Sequence, residues 1–94
     1  MSAGFDVFAA VRSAVAIVCQ VDPQGLSAET RFEDLGADSL SRVGIADLVE
    51  ARAAEAGDEL HIDDAALCRM SSLGELSNEI VSRLARRGGL PVAS

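Results

Sequence analysis

The chain has no lysine, no tryptophan and no tyrosine, and only one histidine, two prolines and two cysteines in 94 residues. Three phenylalanines are the only aromatic residues although 49% of the chain is apolar. The core must therefore be aliphatic, built from Leu, Val, Ile and many alanines, a composition that suits packed helices better than a sheet. Cys19 and Cys68 do not amount to a disulfide framework, and neither has a Cys-x-x-Cys partner for zinc. Both are expected to be reduced, small hydrophobes. Nothing resembles a secretory signal, and the apolar run Val15 to Cys19 is hemmed in by Arg12 and Asp22, too short to span a bilayer. The expectation is a soluble, cytoplasmic, monomeric protein with no membrane contact. At this length there is room for one domain with a small core, here residues 1–94 with the packed part at about 5–87 and a flexible tail at 88–94, and no room for a second catalytic domain.

All eight basic residues are arginine, and the formal net charge is −7. The excess is concentrated: between Glu33 and Asp64 ten acids face only Arg42 and Arg52, a local balance of −8. Such a segment repels phosphate backbones, so nucleic-acid binding is disfavoured and a positively charged protein partner is favoured. Asp58, Glu59, Asp63 and Asp64 lack the spacing and central glycine of an EF-hand, and no metal site is expected.

Periodicity predicts three main helices and a short one. From about Phe5 to Cys19, Phe8, Val11, Val15 and Val18 recur at spacings of three and four, with Ser2 or Gly4 available as a cap. Val21 to Thr30 carries Pro23, Gly25 and Ser27 without periodicity and reads as a long loop, its far end pinned to the core by Phe32 and Leu35. A second helix starts at Asp38 or Ser39 and runs to about Ala56, with Val43, Ala46, Val49, Ala53 and Ala56 on one stripe and Gly57 as its stop. Leu60 and Ile62 anchor a connection, and Asp63 caps a short third helix to about Cys68. Ser72-Leu73-Gly74-Glu75 has the form of a capping box, opening a last helix whose buried face is Leu73, Leu76, Ile80 and Leu84. Arg83, Arg86 and Arg87 suit its negative end, Gly88-Gly89 stops it, and Leu90 to Ser94 trails off.

Ser39 stands where a loop turns into a helix, and a helix start presents unpaired N–H groups and the positive end of the peptide dipoles. A phosphate esterified to this hydroxyl would be electrostatically welcome. The alternative role, a hydrolytic nucleophile, needs a base. The one histidine, His61, falls in a loop beyond the far end of a helix of about 17 residues, or roughly 25 Å. The string Gly36-Ala37-Asp38-Ser39-Leu40 also lacks the glycine after serine that a nucleophile elbow requires.

The run Phe32-Glu33-Asp34-Leu35-Gly36-Ala37-Asp38-Ser39-Leu40 resembles the phosphopantetheine attachment motif of acyl carrier proteins, and with the flanking helix pattern the resemblance extends from roughly Phe5 to Leu84. It implies an all-α, four-helix carrier bundle with a long loop after its first helix, non-catalytic, bearing 4′-phosphopantetheine from coenzyme A on Ser39 and holding acyl groups as thioesters. Asp38 either caps the helix start or helps to present the serine to a phosphopantetheinyl transferase. Leu40, Val43, Asp47 and Glu50 are candidate contacts for ketosynthase, acyltransferase and tailoring enzymes.

Two departures from bacterial fatty-acid carriers stand out. Ser41-Arg42 follows Leu40, and Gly44 stands where acids are common; the stretch from Ser39 to Ser71-Ser72 is also a few residues long, around Glu55 to Glu59. Ala51, Ala53, Ala54 and Ala56 lighten the end of the second helix, which leaves room for an acyl chain unless Leu60 fills it. Together with the arginine-only composition, these features lean towards a free-standing carrier of polyketide or other specialised biosynthesis. A fatty-acid carrier, a peptidyl carrier of a nonribosomal synthetase and an unmodified helical interaction protein are the alternatives.

Overall fold

The structure is a computed structural model and describes residues 6–88. The proposed caps Ser2 and Gly4, the start at Phe5, Gly89 and the tail Leu90 to Ser94 lie outside the described residues, as do the side chains of Arg86 and Arg87. Helix α1 spans Val7–Cys19, α2 Ser39–Glu55, α3 Asp64–Arg69 and α4 Leu73–Gly88, with single 3-10 turns at Pro23–Gly25 and Glu33–Leu35 between α1 and α2. The architecture is all-α, three main helices and one short one with a long loop after the first.

Each boundary has a local cause. Asp6 supplies the cap of α1, accepting the Ala9 N–H at 3.1 Å. At the other end Gln20 turns left-handed at φ 58° and returns its N–H to the Ala16 carbonyl. Asp63 caps α3 through the Ala66 N–H at 3.1 Å. Ser72 accepts the Glu75 N–H at 3.2 Å, which is one half of the expected capping box. The other half is shifted: the Glu75 carboxylate reaches past Ser72, which pairs with Arg31 in an antiparallel bridge, and takes the Ser71 N–H at 2.7 Å.

α1 packs against both α2 and α4, and α3 leans on α2. Val11 and Val15 of α1, Ile45 and Val49 of α2, and Leu73, Leu76 and Ile80 of α4 meet around Phe32 with almost no exposure, each burial worth about 1.5–3 kcal/mol. The buried stripe of α2 is Ile45, Ala46, Val49 and Ala53. Ala56, expected on it, is exposed because the helix ends at Glu55, and Val43 and Leu84 are half-buried at the edge of the core.

The loop after α1 is a built structure. Asp22 caps the first 3-10 turn by accepting the Gln24 N–H at 2.9 Å, Leu26 and Phe32 are buried, and Leu35 packs against the core. Three backbone bonds tie the loop to the head of α4: Phe32 N–H to Ser71 O at 3.0 Å, Leu73 N–H to Thr30 O at 3.0 Å and Gly74 N–H to Ala28 O at 2.8 Å. This close approach requires a glycine, since a Cβ on Gly74 would lie 2.8 Å from the Ala28 oxygen.

Candidate functional site

The segment before Ser39 folds as a closed turn. Gly36 adopts φ 69° and its N–H returns to the Glu33 carbonyl, while the Ala37 N–H returns to Phe32 O at 3.0 Å. These are the two bonds of a Schellman motif, with Ala37 and Phe32 making its apolar contact inside the core. Only glycine takes the left-handed position without strain. Asp38 then turns extended, at φ −84° and ψ −174°, and opens α2. Its carboxylate accepts the Ser41 N–H at 2.9 Å, so of the two roles weighed for Asp38 the cap is realised in the structure. The bond from Ser41 holds the Asp38 carboxyl below the usual carboxylate range.

Ser39 is the first residue of α2 and is exposed. Leu40 beside it is 79% exposed, a large apolar side chain that folding leaves in water. Ala37, Ser39, Leu40, Val43, Leu67 and Cys68 line a largely apolar cleft of about 460 Å³ between the start of α2 and α3. That volume falls in the range of small-ligand sites. At the alanine-rich end of α2 Ala53 is fully buried and Leu60 packs against the core, while Ala51 lines a smaller cleft of about 190 Å³ with Ser13 and Ile17 of α1 and Leu48 and Glu55 of α2. The larger of these two spaces lies at the opposite end of the helix, beside the serine.

The other candidates divide. Asp47 is exposed and Val43 half-buried. Glu50 is turned inward: it accepts the Ile62 N–H at 2.8 Å and lies 3.7 Å from Nδ1 of His61. This pins the exposed His61 against Glu50, eleven residues along α2 from Ser39 and so about 16 Å further down the axis. No base stands at the serine from that direction.

Arg42 had no assigned role. Its Nη1 donates to the carbonyls of Leu67 at 3.2 Å and Met70 at 3.0 Å, and its guanidinium lies over the Phe32 ring at 4.9 Å. Arg83 was expected only to offset the negative end of α4. It donates to Glu79 at 2.7 Å, to the His61 carbonyl at 2.9 Å and to Asp63 at 2.9 Å. The bond from Arg83, joined by the Ala66 N–H, holds the Asp63 carboxyl below its ordinary range. Both contacts link residues at least 20 positions apart, so no local periodicity announces them.

Cys19 and Cys68 are free thiols. Among the described residues no group of three or more His, Cys, Asp or Glu could hold a metal ion, and no helix is long and apolar enough to cross a membrane.

The structure thus presents Ser39 at the capped start of α2, at the mouth of a cleft whose lining also includes the carboxylates Asp38 and Asp64. Residues 9–80 match the family described as Phosphopantetheine attachment site, and the chain belongs to that family. No curated protein matches the chain. The family makes it a non-catalytic carrier whose prosthetic group is 4′-phosphopantetheine, installed by a phosphopantetheinyl transferase.

Proposed function

We propose that the chain, residues 1–94 taken as one carrier domain, is an acyl carrier protein whose prosthetic arm is joined to Ser39, and that it serves polyketide or related specialised biosynthesis. The observation that carries the reading is the exposed Ser39 hydroxyl at the first residue of a helix capped by Asp38. The chemistry of the residues fits the group. The positive end of α2 favours a phosphodiester at this position, and Asp38 fixes the backbone that presents the hydroxyl to the transferase. When bound, the arm supplies a terminal thiol on which an acyl group is held as a thioester.

Leu40, Val43 and Asp47 follow one another at spacings of three and four along α2, so they share a face. We read that face as the contact for ketosynthase, acyltransferase and tailoring enzymes, with Leu40 as the apolar anchor and Asp47 as a charge that steers encounter. Glu50 continues the face, but its bond to the Ile62 N–H makes it a support for the loop before α3. Arg42 and Gly44, in place of the acids common in fatty-acid carriers, support the specialised pathway.

Intact-protein mass tests the attachment after incubation with coenzyme A, magnesium and a broad-specificity phosphopantetheinyl transferase. One phosphopantetheine should be gained by the wild type and none by Ser39→Ala. A gain on Ser39→Ala would move the attachment elsewhere, and no gain on folded wild type would reject the reading.

A further inference from the structure

Helix α3 has six residues and buries only Ala66 and Leu67, too few for it to hold its own position. Ile62 before it and Met70 after it are buried in the core, and side chains of other elements tie the backbone on both sides. Before it, Glu50 accepts the Ile62 N–H and Arg83 binds Asp63 and the His61 carbonyl. After it, Arg42 spans from α2 to the carbonyls of Leu67, which also accepts the Met70 N–H, and of Met70 itself, supplying donors that the end of a helix lacks. The guanidinium rests on the ring of Phe32, itself 1% exposed, so the donor group is anchored to the rigid core. Arg42 also lines the cleft that Ser39 and Leu67 border. One side chain therefore forms part of the cleft wall and fixes the helix opposite.

We propose that Arg42 is a latch that sets how far the C-terminal end of α3 stands from α2, and so the size of the apolar cargo admitted to the cleft beside Ser39. It acts through α3 and is a positioning residue. The inference rests on the reading that Ser39 bears the arm, since a tethered acyl chain is the occupant that begins at the mouth of this cleft. A lysine at this position would keep the charge but could neither stack flat on Phe32 nor hold a planar fork at the carbonyls, so Arg42→Lys should be intermediate between wild type and Arg42→Gln.

The test has two arms. In the unloaded protein, amide hydrogen exchange should quicken in α3 for Arg42→Gln while α1 and α4 stay protected. Arg52→Gln, which removes the same charge from α2 but touches Ser13 on α1, should leave α3 unchanged. In the second arm, the same proteins are loaded with straight acyl chains from acetyl to dodecanoyl, and thioester half-life in hydroxylamine is followed by mass. Arg42→Gln should move the best-protected chain to greater length, with roughly fourfold more protection for each further methylene that becomes buried. Unchanged exchange in α3 overturns the latch, and faster exchange with an unchanged length profile overturns its control of cargo size. Failure of folded wild type to load rejects attachment at Ser39 instead, and with it the cargo role, while the exchange arm still reads the latch.

Discussion

Replacing Gly74 by alanine should loosen the loop that leads to the serine. A Cβ built on Gly74 lies 2.8 Å from the Ala28 oxygen, 3.1 Å from the Ala28 Cβ and 3.4 Å from its carbonyl carbon. The first distance is below any normal carbon–oxygen contact, and the obstacle is backbone. That oxygen is also the acceptor for the Gly74 N–H at 2.8 Å, so relieving the clash stretches the bond that holds the loop. A lost backbone bond costs about 0.5–1.5 kcal/mol and overpacking at a close contact about 1–3 kcal/mol. The helix preference of alanine over glycine returns up to about 1 kcal/mol. The net expectation is a loss of about 1–3 kcal/mol, read as a lower urea midpoint at an unchanged slope and a melting point lower by about 4–8 °C for each kcal/mol. A Gly74→Ala protein as stable as wild type would refute the idea that close backbone approach holds the loop against α4.

Gly44→Ala should have the opposite sign, because its new Cβ would meet only Val18 of α1, at 3.7 and 3.9 Å; urea melts should show a gain of about 0.5–1 kcal/mol. Ser77→Ala should also stabilise, by about 1 kcal/mol in the same assay, since the Ser77 hydroxyl is buried without a hydrogen-bond partner. The carboxyls of Asp38 and Asp63 are both held low, the first by Ser41 and the second by Arg83. Their contribution should therefore be complete above the unfolded value of about pH 4 and lost as the pH falls through the lower folded values. Melts repeated down the acid range should show that loss, and Asp63→Asn should make the decline shallower.

What the sequence made legible was local. Asp63 as the cap of α3, Gly57 as the turn after α2, at φ 88°, and the start of α2 at Asp38-Ser39 each depend on a few neighbouring residues, and each is found as expected. The place of Ser39 as the first residue of α2 belongs with them, because loop, cap and helix pattern lie within one short run. Missed were features that arise only when distant segments meet. Ile45 carries one of the deepest positions of the core, yet the periodic stripe of α2 does not include it, since choosing among adjacent apolar residues requires knowing where α1 lies. Arg42 stood out only as a departure from acidic neighbours; its partners are 25 and 28 residues away. Glu50 had the pattern of a solvent-facing acid and instead holds Ile62, a contact made possible by the path the chain takes after Gly57.

That path bears on how the site can vary. The serine is held by a rigid unit: the turn from Phe32 to Ala37, the Asp38 cap and the buried face of α2 all resist movement, and the bonds that close the turn and the cap are short-range. The facing wall is the reverse, a helix too short to persist alone and held by Glu50, Arg83 and Arg42 from α2 and α4. A change at Glu50 or Arg83 alters the cleft without touching the turn that leads to Ser39. With the arm on Ser39 and its cargo in the cleft, as proposed, presentation of the hydroxyl to a transferase and accommodation of what the arm carries rest on different residues, and such a carrier can change its cargo while remaining a substrate for the same modifying enzyme. The separation is imperfect at Arg42, which lies on the rigid helix and stacks on Phe32, the ring around which the turn before Ser39 closes, so its replacement is the change most able to be felt on both sides.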